Sequence, residues 1–312
     1  MTDAPKDSSP AADDELTDEP RSAGKLIARL FLVPLLVVGA AVAIFLVFNY
    51  MTFERRGPRD YLQEVRGGTA NRRWQAAFEL SRSLGNLSPE DRAELCTETL
   101  RVYETLSNKR PDDLLVRRYL VLVLGRLGEP AAVPALLQAA RADDPDTRLY
   151  AIWALGKIGG PAGFDTVLEA SQNEDAGQRK MAAYVLGSLG DKRAIPRLQV
   201  LADDRVADVR WNAAIALGQL GDRSGLAVLH AMLDRDALAR QATLSSDQAE
   251  AAMVNAMKAL VLLHDTDSLP TLEKIAKDDP NLRVRDAARK AVDALRPKAS
   301  KRLEGPDPGL VG

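Results

Sequence analysis

The element Leu-Gly-x-Leu/Ile-Gly stands at Leu124, Leu155, Leu186 and Leu217, a strict step of 31 residues. A fixed period of this size calls for one supersecondary unit stacked on copies of itself. Degenerate copies extend the array in both directions. "RRWQAAFEL" from Arg72 matches "VRWNAAIAL" from Val209 almost position for position. "NAMKALVLLH" from Asn255 follows its predecessor by 43 residues because "DALARQATLSSD", Asp236 to Asp247, has been inserted. The last copy is "VRDAARKAVDAL", starting at Val284.

Each unit reads as two helices. The shorter begins with a proline in its first turn, at Pro134, Pro196 and Pro270, where a missing N–H costs little. The longer stops at Gly128, Gly159, Gly190 or Gly221, a residue free to take the left-handed cap conformation. Counted from the arginine of each longer helix (Arg73, Arg117, Arg148, Arg179, Arg210, Arg285), positions three, seven and ten later are small or aliphatic. Ala213, Leu217 and Leu220 are one such set. Steps of four and three place them on one stripe. No copy can bury that stripe alone, so the array shares one continuous core.

"ADVRWNAAIALGQLGD", Ala207 to Asp222, resembles the HEAT-like repeat of the phycobilisome lyase type, which runs Asp-x-x-Val-Arg-x-x-Ala-x-x-Ala-Leu-Gly-x-Leu-Gly-Asp. The resemblance covers roughly residues 69–297 and implies an all-α fold, an α-solenoid wound as a right-handed superhelix of about six helical pairs. It also implies that the arginine column (Arg117, Arg148, Arg179, Arg210, Arg285) forms a structural ladder with acidic residues about six positions earlier. Asp204 and Asp279 fit that spacing; Asn173 is neutral, and Met253 replaces the arginine altogether.

Positions one and five after each arginine lie about 160° from the core stripe at about 100° per residue, on the expected concave face. There the family's usual polar residues give way to Trp74 and Phe78, to Leu122 beside Arg118, and to Leu149 and Trp153. Further along come Lys180 and Tyr184, then Trp211 and Ile215. All three tryptophans of the chain fall in these columns. An exposed aromatic strip marks a site for a protein partner; burial of the same rings between neighbouring repeats is the open alternative.

Outside the array, residues 1–24 are acidic and poor in apolar side chains, the composition of a disordered tail. Leu30 to Phe48 carries no charge for nineteen residues, long enough to cross a bilayer as a helix. A cleaved signal peptide fits poorly, because the leader is long and acidic and no small-x-small cleavage site follows. The expected organisation is therefore an acidic tail over 1–24, a transmembrane helix over 26–50, a juxtamembrane linker over 51–68, the repeat domain over 69–297 and a disordered tail over 298–312. Basic residues flank the span on both sides: Arg21, Lys25 and Arg29 before it, Arg55, Arg56, Arg59 and Arg66 after it. The count leans slightly toward a cytoplasmic repeat domain and leaves the other side open.

Enzyme signatures are missing. The chain has no phosphate-binding glycine loop, no Gly-x-Ser-x-Gly elbow and no cysteine pair for zinc. HEAT-like sequences include deoxyhypusine hydroxylase, whose metal site needs His-Glu pairs; His230 and His264 are followed by Ala231 and Asp265. Cys96 is the only cysteine and reads as a small buried hydrophobe. A net charge of -2 gives no bulk attraction to nucleic acid. The expectation is a non-enzymatic scaffold without cofactor or metal, touching the bilayer through residues 30–48. It would bind a protein partner on the concave face and help assemble or regulate a membrane-associated complex, with no nucleic acid or small-molecule substrate. A bilin lyase or hydroxylase-like enzyme, or an accessory to one, is the alternative that the family resemblance carries.

Overall fold

The computed structural model of the chain describes residues 28–52, 56–240 and 244–296. The expected tails at 1–24 and 298–312, and part of the inserted segment, lie outside these residues. The chain divides into two compact units, Met1–Arg56 and Gly57–Gly312. In the first, a π-type turn, Ala28–Leu32, leads into helix α1, Val33–Thr52. The apolar stretch Leu30–Phe48 within it is exposed along its length and long enough to cross a membrane. Nineteen residues rise about 28 Å as a helix, close to the thickness of a hydrocarbon core.

The described residues of the second unit hold helices and no strand. They run as α2 (Pro58–Gly67) with α3 (Ala70–Arg82), α4 (Pro89–Thr105) with α5 (Pro111–Leu127), α6 (Val133–Ala139) with α7 (Pro145–Ile158), and α8 (Pro161–Ala170) with α9 (Ala176–Leu189). Then follow α10 (Ile195–Ala202) with α11 (Ala207–Gln219), α12 (Leu226–Ala231) with α14 (Ser246–Leu262), and α15 (Leu269–Asp278) with α16 (Leu282–Leu295). A short extra helix, α13 (Arg235–Ala239), occupies the insertion.

One boundary needs correction. The stretch 51–68 was expected to be a linker, yet α2 lies inside it and joins the first core cluster through Leu62 and Val65, both buried. Two apolar residues three apart suffice to form a stripe when α3 supplies Ala76, Ala77 and Leu80 to the same cluster. The array therefore begins at Pro58.

The local chemistry follows the repeat. Asp144 and Asp175 cap α7 and α9, each side chain accepting from a backbone N–H three residues on, at 2.9 Å. Gly128 and Gly190 end α5 and α9 in the left-handed region, both with φ of 72°. His264 holds the corresponding place after α14 with φ of 50°, the one positive φ outside glycine among the described residues. A side chain there crowds the following carbonyl. His264→Gly is expected to raise stability by about 0.5–1 kcal/mol; a urea midpoint that stays put or falls would show that the backbone there is unstrained.

The core stripe is as expected: Ala151, Leu155, Ala213 and Leu217 are fully buried. A second recurrent feature sets how closely the units stack. Eight residues after Arg117, Arg148, Arg179 and Arg210 stands a glycine, and it meets the second helix of the next pair. A methyl group on Gly125 would lie 2.5 Å from the Ala154 Cβ, on Gly156 2.2 Å from a Val185 methyl, on Gly187 2.6 Å from the Ala216 Cβ and on Gly218 2.9 Å from the Ala259 Cβ. Four successive seams are thus closed by the absence of a side chain. At the fifth, between α14 and α16, the same position is Val261.

Candidate partner-binding face

Of the five arginines expected to form a structural ladder (Arg117, Arg148, Arg179, Arg210, Arg285), Arg179 alone among the described residues pairs with a carboxylate of another repeat, and the partners differ from those the spacing suggests. Asp204 was expected to pair with Arg210, six residues later. Instead its carboxylate accepts from Arg179 of the preceding repeat, at 2.7 and 3.0 Å, while Arg210 donates to the Asp204 backbone carbonyl at 2.7 Å. Asp279 likewise turns from Arg285 to Arg235, at 2.9 and 2.8 Å. The guanidinium groups of Arg148, Arg179 and Arg210 are occupied by carbonyls of their own loops, and the Asp204 carboxylate faces the seam. Arg148 shows the first half of this, donating to the carbonyls of Ala142 and Asp143 at 2.8 Å. Arg117 shows it with Tyr103 and Leu106, its guanidinium also lying 4.0 Å from the centre of the Tyr103 ring. At the N-terminal end Arg73 reaches forward to Asp113 at 3.1 Å.

The missing arginine at Met253 is replaced in space. Arg235, on α13, approaches the carboxylate of the next repeat as Arg179 does, and Glu250 lies 3.5 Å from it. The residue just ahead of the insertion therefore supplies this inter-repeat pair. These pairs shape the local electrostatics. Hydrogen bonds from Arg179 hold the Asp204 carboxyl below the usual carboxylate range, and those from Arg118 hold Asp144 down at about 2.

The nine residues expected on the concave face divide by exposure. Lys180 and Tyr184 are exposed, Tyr184 by 45%. Trp74, Phe78, Leu122, Leu149, Trp153, Trp211 and Ile215 are half-buried. Trp74 and Trp153 lean on the first core cluster, Trp211 and Ile215 on the last. Phe78 meets Tyr119 edge to face, with ring centres 5.4 Å apart. Lys157 sits 5.8 Å from the centre of the Trp153 ring. The rings thus serve lateral packing with one side and keep the other accessible.

Four of the nine come together. Lys180, Tyr184, Trp211 and Ile215 line a cleft of about 310 Å³ between α9, α11 and α14, at the small end of the range for ligand pockets. Lys180 is neutralised there by Asp208 at 3.1 Å. Asn212, Gln248 and Asn255 add amides to the wall. Sequence reasoning passed over these three. Asn212 sits one position beyond the column counted. Gln248 follows an insertion with no counterpart in other repeats, so periodicity cannot place it.

Other reactive groups are engaged elsewhere. Cys96 is fully buried, and burial pushes its thiol up to about 11, the opposite of an activated nucleophile. Asp265 is buried between His230 at 2.7 Å and Arg223 at 2.9 Å. Among the described residues no three His, Cys, Asp or Glu side chains gather as a metal-binding group.

Comparison with known proteins adds the following. A family model described as HEAT repeats matches residues 104–185 and 164–246. No curated protein sequence matches significantly. Among solved structures, the complex of CpcE and CpcF of phycocyanin lyase from Nostoc is 17% identical over 78% of this chain and 97% of its own, with a TM-score of 0.48. Human deoxyhypusine hydroxylase is 18% identical over 76% of this chain and 95% of its own, with a TM-score of 0.32. A designed armadillo repeat protein in complex with the peptide (KR)4 is 15% identical over 77% of this chain and 99% of its own, with a TM-score of 0.40.

Proposed function

We propose that this chain, whose residues 104–246 match the HEAT-repeat model, is a membrane-anchored, non-enzymatic scaffold that holds a protein partner on the face carrying its aromatic columns. The observation that carries this reading is the cleft of about 310 Å³ at Lys180, Tyr184, Trp211 and Ile215, set in a strip of half-buried rings with one accessible side. Aromatic residues anchored by packing lose little entropy when a partner covers them. The apolar stretch Leu30–Phe48 supports placement at a bilayer, where such a scaffold helps assemble or regulate a membrane-associated complex.

Trp153→Ala and Trp211→Ala test the reading. Both variants should keep their helical circular dichroism. A photocrosslinking residue at Tyr184 in native membranes should give a discrete adduct, and Trp211→Ala should weaken it by about tenfold or more, as expected of a central anchor. If both variants lose helical content, the rings belong to the core and the reading fails. A stoichiometric metal or an absorbing pigment on the purified chain would overturn the non-enzymatic part and favour a hydroxylase-like or bilin-related activity.

A further inference from the structure

At the seam between α14 and α16 the side chain of Val261 stands where glycines close the four seams before it. A groove of about 610 Å³ opens there between α14 and α16. Its floor is apolar, built from Val254, Met257, Val261 and the small Ala287 and Ala291. Leu262 lines it while 57% exposed. Its rim is basic. Lys258, Arg283 and Lys290 surround one acid, Asp286, which Lys290 neutralises at 2.7 Å. Among the described residues no ion pair engages Lys258 or Arg283.

We propose that this groove is a docking site for an acidic amphipathic helix of a partner protein. From Val254 to Leu262 the helix rises about 12 Å, room for two turns of a third helix with apolar residues at i, i+4 and i+7. Alanines on α16 leave the channel that such a ridge fills. Unpaired cations on both walls select glutamate and aspartate on the incoming flanks, and they repel a basic helix. Lys258 and Lys290 stand five positions after the column residue and Val254 and Asp286 one after it, so the groove continues the aromatic columns. The proposal thus deepens the scaffold reading by giving the chemistry of one partner segment.

The test uses the full-length chain in neutral detergent. The probe is a fluorescent synthetic peptide about four turns long, with leucines at the stated spacing and glutamates elsewhere; its lysine counterpart is the control. The glutamate peptide should bind about tenfold more tightly than the lysine peptide. The double variant Lys258→Glu, Arg283→Glu should reverse that preference. Val261→Gly, which removes an apolar side chain from the floor, should weaken binding with the charges intact. Trp211→Ala should leave peptide binding unchanged, so that failure of the central cleft and failure of this groove are read separately. Equal binding of both peptides, or indifference to the charge reversal, would overturn the proposal. So would displacement of the peptide by oleate at lower concentration, which assigns the groove to an acyl chain, or by self-association of the chain, which assigns it to a second copy.

Discussion

Arg179→Ala will lower the free energy of unfolding by about 3 kcal/mol, because it leaves a carboxylate in a poorly solvated seam without its counter-ion. The side chains of Arg179 and Asp204 are only 8% and 11% exposed, and the guanidinium also satisfies the carbonyls of Asn173 and Glu174 at 2.9 and 2.7 Å. Removing it takes a donor from three groups at once, leaving Asp204 with the Val206 N–H at 2.9 Å. The sign of the pH dependence follows from Asp204, whose pKa in the folded chain lies below its ordinary value of 3.8. The stabilisation is fully present above that ordinary value and fades as pH falls through the depressed one. Urea unfolding near neutral pH should show the full difference between parent and variant, and the gap should narrow in acid. A loss below about 1 kcal/mol would place this pair with ordinary exposed ion pairs and remove it from the account of stability.

Gly125→Val is the second large effect, expected to cost about 2–3 kcal/mol although valine is the better helix former. The added Cβ would lie 2.5 Å from the Ala154 Cβ and 2.8 Å from its Cα. Backbone stands in the way, so no rotamer change relieves the clash. The two helices must separate, and Leu124 and Leu155, both fully buried, lose part of their contact. Hydrogen exchange should report the loss first in α5 and α7, since a stacked array weakens locally. Unchanged protection there would mean that the seam has slack, and the account of the Val261 groove would lose its premise.

Much of the architecture was legible because it recurs. The step from Leu124 to Leu217, the glycine stops and the stripe through Ala213 and Leu217 are repeated statements of one packing rule, so each copy corroborates the others. What did not recur was harder to read. Helix α2 lies outside the period and shows only Leu62 and Val65 as its buried face. The partner of Asp204 depends on which repeat lies across the seam, and distance along the chain does not encode that. Val261 was visible as a departure from the glycine column, yet its consequence requires knowing that the glycine touches the next helix. For the candidate site, periodicity located the Trp211 and Tyr184 columns. It left open the balance between packing and exposure, because a ring at a helix flank satisfies both.

The ion pairs between repeats run in one direction. Arg73, Arg179 and Arg235 each reach ahead to a carboxylate of the following pair, and Arg285, on the last described pair, has a buried Nε with no hydrogen-bond partner. Growth of such a stack is chemically one-sided. A further hairpin joined after Leu295, with an aspartate in its loop, would find a donor already waiting, whereas one placed ahead of Pro58 would have to bring its own.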